Sequence, residues 1–183
     1  MKRISVIIIF LIILQFLTSG CGTVYKVVVD ERSLHAQTID ERITMAIRKK
    51  IFDDDHVKFL DISTYCYNGH VYLVGEYEKY AQIRRAVKLA ASVEGVKSVT
   101  DHFLPKREED SCGVTDNLEL KVEVKAKLIR DKHIWSTNIE VKTIQCNIIL
   151  LGLVGSYKEV NKAVAYAKSV AGVRSVKSYL KRN

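Results

Sequence analysis

Residues 73–99 read LVGEYEKYAQIRRAVKLAASVEGVKSV, and residues 150–176 read LLGLVGSYKEVNKAVAYAKSVAGVRSV. The two stretches align without a gap at an offset of 77 residues, and both carry an early glycine, a central Ala-Val pair and a Gly-Val near the end. The offset extends backwards and pairs His56 with His133. Because this unit is much longer than a solenoid repeat, the sequence predicts two copies of a small domain.

The first copy shows the signals of two helices and three strands. Thr38 and Glu41 fit a capping box that would begin the first helix, and Asn68-Gly69 is a strong hairpin signal. Gly75 indicates a bulge or a close backbone approach. We expect the elements of this copy at the following residues: a helix over 39–52, strands over 62–67 and 70–74, a helix over 79–93 and a strand over 96–103.

The second copy contains one conflict. Residues 118–128 read LELKVEVKAKL, a strict alternation that taken alone predicts a strand. The repeat instead predicts a helix, over 118–130, because Leu120, Val124 and Leu128 align with apolar helix positions of the first copy. We follow the repeat. The other expected elements are strands over 139–144 and 147–151, a helix over 157–170 with a capping box at Ser156 and Glu159, and a strand over 173–180.

The predicted fold class is α+β, with two tandem αββαβ domains. Each domain would have two helices packed on a small three-stranded mixed sheet, and the last β-α-β crossover would be parallel and right-handed. The predicted organisation is a signal peptide over 1–20, a tether over 21–37, a first domain over 38–104, a linker over 105–114 and a second domain over 115–183.

The N-terminus has the features of an export signal. Lys2 and Arg3 precede an apolar run over 4–17 that is shorter than a membrane-spanning helix. The segment FLTSGC resembles the bacterial lipobox, in which Cys21 would become the lipid-modified, palmitate-bearing first residue of the mature protein. Ordinary cleavage before Cys21 and a retained anchor are the open alternatives.

The charge is concentrated in one half of the chain. Residues 40–104 carry equal numbers of acidic and basic side chains, whereas residues 115–183 carry an excess of seven basic ones. Such asymmetry indicates an anionic partner, either nucleic acid or a membrane surface. An acylated protein on the envelope side of a membrane meets anionic lipid first, so we expect no nucleic-acid partner.

The hairpin, Gly75 and Gly152, the Ala-Val helix and the closing Gly-Val-Lys/Arg-Ser-Val motif together resemble the BON domain. Two such domains behind a lipobox resemble the dual-BON outer-membrane lipoproteins of Gram-negative bacteria. The resemblance implies a non-enzymatic protein without a cofactor, lipid-anchored in the outer membrane and facing the periplasm. It also implies binding of anionic phospholipid, survival of envelope stress and support of outer-membrane integrity. An envelope protein docked on the same basic face is the alternative partner.

In that lipoprotein group the lipid surface involves the first helix of the second domain, which corresponds to residues 118–130. The family's aromatic residue is absent, since Leu118 and Glu119 occupy the aligned positions. The candidate lipid-binding residues are Leu118, Lys121, Val122, Lys125, Lys127, Ile129 and Arg130. Two simpler interpretations stay open: the apolar residues pack against the first domain, or the basic residues form a solvated face without a ligand.

No catalytic or metal-binding arrangement is predicted. His56 and His133 occupy equivalent loop positions, but further ligands at metal spacing do not accompany them. The Gly152–Gly155 segment lacks the Lys-Ser/Thr pair that follows in a phosphate-binding loop.

Three cysteines remain if Cys21 is lipidated. One pair with one further thiol, or an intermolecular bond, would account for them. Cys66 lies in mid-strand, whereas Cys112 in the linker and Cys146 at the second hairpin turn are expected to be more exposed. We therefore expect a disulfide between Cys112 and Cys146.

Overall fold

The structure is a computed structural model that describes residues 34–182. The predicted signal peptide, Cys21 and residues 22–33 of the predicted tether lie outside the described residues. The elements are α1 Leu34–Phe52, β1 Ile62–Tyr67, β2 His70–Tyr77, α2 Tyr80–Ala91, β3 Ser98–Pro105, α3 Val114–Arg130, β4 Ile139–Ile144, β5 Asn147–Val154, α4 Tyr157–Lys168 and β6 Ser175–Arg182, with short 3-10 turns at Phe59–Asp61 and Ser136–Asn138.

Each half forms one mixed sheet. β1 pairs with β2 antiparallel and β2 pairs with β3 parallel, and β4, β5 and β6 repeat this order. Helices α1 and α2 cover one face of the first sheet, and α3 and α4 cover one face of the second. We call the α1–β3 half domain 1 and the α3–β6 half domain 2. The predicted α+β class and the tandem αββαβ order are confirmed.

The stretch with strict alternation is helical, as the repeat predicts. In α3 the buried side chains are Leu120, Val124 and Leu128, which recur every four residues and face the sheet. The alternation misleads because Lys121 and Lys125 lie beside the buried stripe rather than opposite it. The prediction places the beginning of α3 four residues too late.

The predicted capping box at Thr38 and Glu41 is wrong. Helix α1 begins at Leu34, and Thr38 lies inside it with Oγ1 donating to the Leu34 carbonyl oxygen at 2.9 Å. The last four residues of the predicted tether, 34–37, therefore belong to the helix. At the other predicted box, Ser156 Oγ accepts from the Glu159 N–H at 3.2 Å, but the Glu159 carboxylate binds elsewhere.

An acidic side chain on the core face of α1 fixes this helix to the hairpin. The Asp40 carboxylate is buried and accepts from the backbone N–H groups of Asn68 at 2.7 Å and Gly69 at 2.9 Å. Asn117 holds the same position in α3, and its Oδ1 accepts from the N–H of Cys146 at 3.1 Å. Both domains thus use a polar side chain of the first helix to satisfy the turn, since buried N–H groups require partners.

The two sheets pack against each other through the faces that point away from the helices. The buried side chains at this contact are Tyr72, Val74, Ile144, Ile149 and Leu151. The rings of Tyr72 and Tyr179 lie 5.4 Å apart, and His102 Nδ1 lies 3.2 Å from the Tyr179 hydroxyl. The central strands β2 and β5 are therefore covered on both faces, which explains their continuous apolar runs.

Glycine is required where β2 and β5 meet a neighbouring backbone. A Cβ at Gly75 would lie 2.0 Å from the carbonyl oxygen of Asp61, and a Cβ at Gly152 would lie 1.9 Å from that of Asn138. Gly152 also has a φ of 142°, which L-residues rarely adopt. The close backbone approach that the sequence predicts at Gly75 is thus present in both domains.

Candidate membrane-contact surface

Helix α3 exposes three large apolar side chains along one line. Leu118, Val122 and Ile129 are 60%, 59% and 67% exposed, and their spacing of four and seven residues places them on one side of the helix. We call these three residues the apolar stripe. They do not pack against domain 1, because the sheets supply the contact between the domains. The interpretation of these residues as a domain interface is therefore wrong.

Two lysines border the apolar stripe. Lys121 Nζ lies 3.4 Å from Glu140 Oε1, and Lys125 Nζ lies 3.8 Å from Glu140 Oε2. With about 100° of rotation per residue, Lys127 lies roughly 160° from the stripe and Arg130 roughly 100° from it. By the same rotation Lys125 lies closest to the stripe, roughly 40° from it, whereas Lys121 lies roughly 80° away on the side opposite Arg130, and Lys127 lies on another face of α3.

A third lysine adds positive charge beside this border. Burial holds the pKa of Lys142 on β4 below its usual range, and the charge of Lys121 lowers this pKa further. Glu76 and Glu140 oppose the shift. Lys121, Lys125 and Lys142 thus all lie close enough to Glu140 to interact with its charge.

The equivalent helix of domain 1 has apolar residues at two of the three stripe positions, with Glu41 at the position of Leu118, and it lacks the two lysines. Met45 is 62% exposed and Phe52 is 71% exposed, at the positions that align with Val122 and Ile129. The position of Lys121 is taken by Thr44, which is buried, and that of Lys125 by Arg48, which donates to the carbonyl oxygen of Thr64 at 3.2 Å. Sequence reasoning missed this second exposed line, although the aligned positions of the repeat could have revealed it.

The equivalent Asp-x-His loops join helices. Asp131 receives hydrogen bonds from Lys162 Nζ at 2.7 Å, Tyr166 OH at 3.0 Å and the His133 backbone N–H at 2.9 Å. Asp54 makes the matching ion pair with Arg85 of α2, 2.7 Å from Nη2. No group of three or more potential metal-binding side chains occurs within residues 34–182.

These contacts predict how acid affects stability. The hydrogen bond from Lys162, followed by that from the His133 backbone, holds the pKa of Asp131 well below its usual value. A lowered folded-state pKa stabilises the fold fully above the unfolded value of about 3.9, and this stabilisation is lost as the pH falls through the folded value. We expect the free energy of unfolding of Asp131→Asn to fall less steeply below pH 4 than that of the parent, as measured by urea unfolding across pH. Asp53→Asn, in an exposed pair with Lys49, is the control, and parallel curves for parent and Asp131→Asn would contradict the assignment.

A disulfide joins the interdomain linker to the β4–β5 turn. The Cys112 and Cys146 sulfurs lie 2.05 Å apart. Gln145 and Cys146 form the two-residue turn with φ angles of 48° and 58°, a conformation that favours Asn-Gly. The Gln145 side chain reaches domain 1, where Nε2 donates to Glu76 Oε1 and to the Pro105 carbonyl oxygen, both at 2.8 Å.

Arg174 completes the connection around this turn. Its Nη1 donates to the Gln145 carbonyl oxygen at 3.2 Å and to Asp110 Oδ2 at 2.9 Å, and its Nη2 donates to Ser111 Oγ at 2.7 Å. The arginine lowers the pKa of Asp110, with help from the Cys112 N–H. The linker, the turn and domain 1 are thus held at one point.

Within residues 34–182, every helix is too short or too polar to cross a membrane.

Each domain has the αββαβ order and a glycine where its central strand meets a neighbouring backbone, and the two domains pack through their sheets. These features define a tandem α+β protein of the BON type. The BON domain matches residues 39–104 and 116–182, and the chain belongs to the BON-domain family. The resemblance to this family is confirmed.

Two bacterial proteins illustrate the relationship. The chain is 37% identical over 144 residues to osmotically-inducible protein Y of Escherichia coli (strain K12), an alignment that covers 78% of this chain and 72% of that protein. It is 26% identical over 158 residues to outer membrane lipoprotein DolP of Haemophilus influenzae, with coverages of 86% and 81%. A solved structure of CdsD, a structural protein of the type III secretion system of Chlamydia trachomatis, is a more distant match, at 12% identity and a TM-score of 0.33. The alignment covers 78% of this chain and 92% of the CdsD chain, and this similarity is too low to support a conclusion.

Proposed function

We propose that this protein is a lipid-anchored, periplasm-facing protein of the outer membrane that binds anionic phospholipid through α3. It would support envelope integrity by binding rather than by catalysis. The name of the DolP relative supports the location and the lipid anchor, here at Cys21. The name of the osmotically-inducible relative supports a role under osmotic stress.

One observation carries the lipid assignment: an exposed apolar stripe with a basic border on one helix. An amphipathic helix of this kind binds at the interface of a bilayer, with apolar side chains towards the acyl region and lysines at the phosphates. A single acyl chain gives only marginal anchoring, so a basic surface supplies the second signal. The Lys121 and Lys125 ion pairs with Glu140 are partly exposed and weak, so a lipid phosphate can replace the carboxylate at little cost.

Flotation with vesicles tests the proposal. The protein is the mature chain with Cys21→Ser, which carries no acyl group. We expect it to float with vesicles that contain phosphatidylglycerol, to remain unbound with pure phosphatidylcholine, and to dissociate in high salt. Each lysine near an anionic surface contributes about 1 kcal/mol, so Lys121→Gln with Lys125→Gln should weaken binding roughly 30-fold.

The matched control removes the same charge elsewhere. Lys88→Gln with Lys168→Gln neutralises one exposed lysine on α2 and one on α4, and this double variant should bind nearly as well as the parent. Equal loss in both double variants would assign binding to net charge and remove the role of α3. No flotation under any condition would overturn lipid binding, and the same helix would then be tested as a docking site for an envelope protein.

A further inference from the structure

An exposed tryptophan lies just beyond α3. Trp135 is 49% exposed and is the sole tryptophan of the chain. It occupies the loop between α3 and β4, six residues after Ile129, the last residue of the apolar stripe. The aligned residue of domain 1 is Lys58. The tryptophan is therefore a feature of domain 2 alone.

A buried carboxylate fixes the backbone of this loop. Glu159 is 4% exposed; its Oε1 accepts from the Trp135 N–H at 2.7 Å and its Oε2 from the Gly155 N–H at 3.1 Å. The Trp135 carbonyl oxygen accepts from the Asn138 N–H at 2.9 Å. Ile134, immediately before the tryptophan, is buried in the core. The loop thus holds Trp135 in a defined position with half of its surface in solvent.

A second exposed aromatic side chain lies next to the turn whose backbone N–H groups bind Glu159. Tyr157 is 68% exposed and lies two residues before Glu159, at the start of α4. The Arg182 guanidinium stands over the Tyr157 ring at 5.4 Å. We call Trp135, Tyr157 and Arg182 the aromatic end of domain 2.

The charges that remain outward at this end are positive. Lys132 and Lys158 are exposed, and neither Glu159, which is buried, nor Asp131, which is bound by Lys162, presents a free carboxylate. At the position of Trp135, domain 1 has Lys58, which forms an ion pair with its Nζ 2.5 Å from Glu78 Oε1. Domain 1 also exposes a tyrosine, Tyr80, with the Arg84 guanidinium 5.8 Å from the centre of its ring, so the exposed tryptophan is what distinguishes domain 2.

We propose that the aromatic end is a second point of membrane contact, at which Trp135 and Tyr157 enter the headgroup layer of an anionic bilayer. Tryptophan and tyrosine favour this layer because each combines an apolar ring with a polar group. Arg182, Lys132 and Lys158 would bind lipid phosphates. An anionic lipid surface fits this end because Lys132, Lys158 and Arg182 supply positive charge near two exposed aromatic rings. This inference rests on the proposed lipid binding and adds an orientation, with the C-terminal end of α3 towards the bilayer.

Trp135 provides its own test, since the emission of the chain comes from a single indole. The mature Cys21→Ser chain is mixed with phosphatidylglycerol-containing vesicles, and flotation is measured in parallel with fluorescence. We expect the emission maximum to move to shorter wavelength and lipids brominated near the headgroup to quench it. Flotation without a change in Trp135 emission would overturn this inference and leave lipid binding by α3 intact. Absence of flotation would overturn both.

Variants separate contact from folding. Tyr157→Ala should weaken vesicle binding roughly tenfold, whereas Tyr80→Ala, the aligned and equally exposed tyrosine on α2, should leave binding unchanged. Trp135→Phe keeps an aromatic ring and should retain most of the binding that Trp135→Lys loses. Equal binding by Trp135→Lys and the parent, with unchanged far-ultraviolet circular dichroism, would contradict the proposal.

Discussion

Replacing Gly152 with alanine is expected to lower the free energy of unfolding by about 4 kcal/mol or more, or to prevent folding. The added Cβ would lie 1.9 Å from the Asn138 carbonyl oxygen, which belongs to a backbone that cannot move without breaking the β4–β5 pairing. The φ of 142° adds strain for any residue with a side chain. Urea unfolding followed by circular dichroism measures the effect.

Gly113→Ala is the matched control for this substitution. Gly113 precedes α3 with a φ of −81°, and the nearest atom to an added Cβ is a side-chain oxygen of Asp116 at 3.4 Å. This variant should lose no more than about 1 kcal/mol. Gly75→Ala should resemble Gly152→Ala, because its Cβ would lie 2.0 Å from the Asp61 carbonyl oxygen. Similar stabilities for Gly152→Ala and Gly113→Ala would show that the backbone contact is unimportant.

Breaking the disulfide is expected to destabilise the protein by about 3 to 4 kcal/mol, the chain-entropy value for the 34-residue separation of Cys112 and Cys146. Without the bond the β4–β5 turn would keep two positive φ angles, at Gln145 and Cys146, that are unfavourable for residues other than glycine. Unfolding by urea with and without reductant measures the loss of stability. Cys66 lies outside the disulfide, so the Cys66→Ala variant should respond to reductant as the parent does.

Substitutions at position 146 separate the contribution of the disulfide bond from that of the turn conformation. Cys112→Ser with Cys146→Gly places glycine where domain 1 has Gly69, and glycine adopts a positive φ without the cost of about 1 kcal/mol that other residues carry. This double variant should therefore be more stable than Cys112→Ser with Cys146→Ser. The opposite order of stability would show that the turn relaxes once the bond is absent.

The repeat predicted more of the fold than local periodicity did. It identified α3 as a helix despite the alternation over 118–128. Two copies of one domain share the same fold even where the hydrophobic patterns of their segments differ. Helix beginnings were less predictable: α1 begins at Leu34, four residues before the predicted capping residue Thr38. The capping-box pattern at Thr38 and Glu41 arises inside a helix, where the same residue types are also common.

The faces through which the two domains pack were not predicted. Their signal was present in the unbroken apolar runs of β2 and β5, since a strand with one solvated face would alternate. The two polar side chains that bind the hairpin turns, Asp40 and Asn117, were also missed, although each lies three residues before a buried residue of its helix, Ile43 or Leu120. The position of Trp135 in space depends on the buried Glu159, a long-range contact that spacing along the sequence does not encode.

The sheet-to-sheet contact has a consequence for the newly made chain. Domain 1 is complete at Pro105, but the last strand of the sheet that covers its tyrosine-rich face ends at Arg182, 77 residues later. Because domain 1 emerges first, that face is open until the remaining 77 residues have followed. During this interval an apolar sheet surface can contact other incompletely folded chains, which favours aggregation.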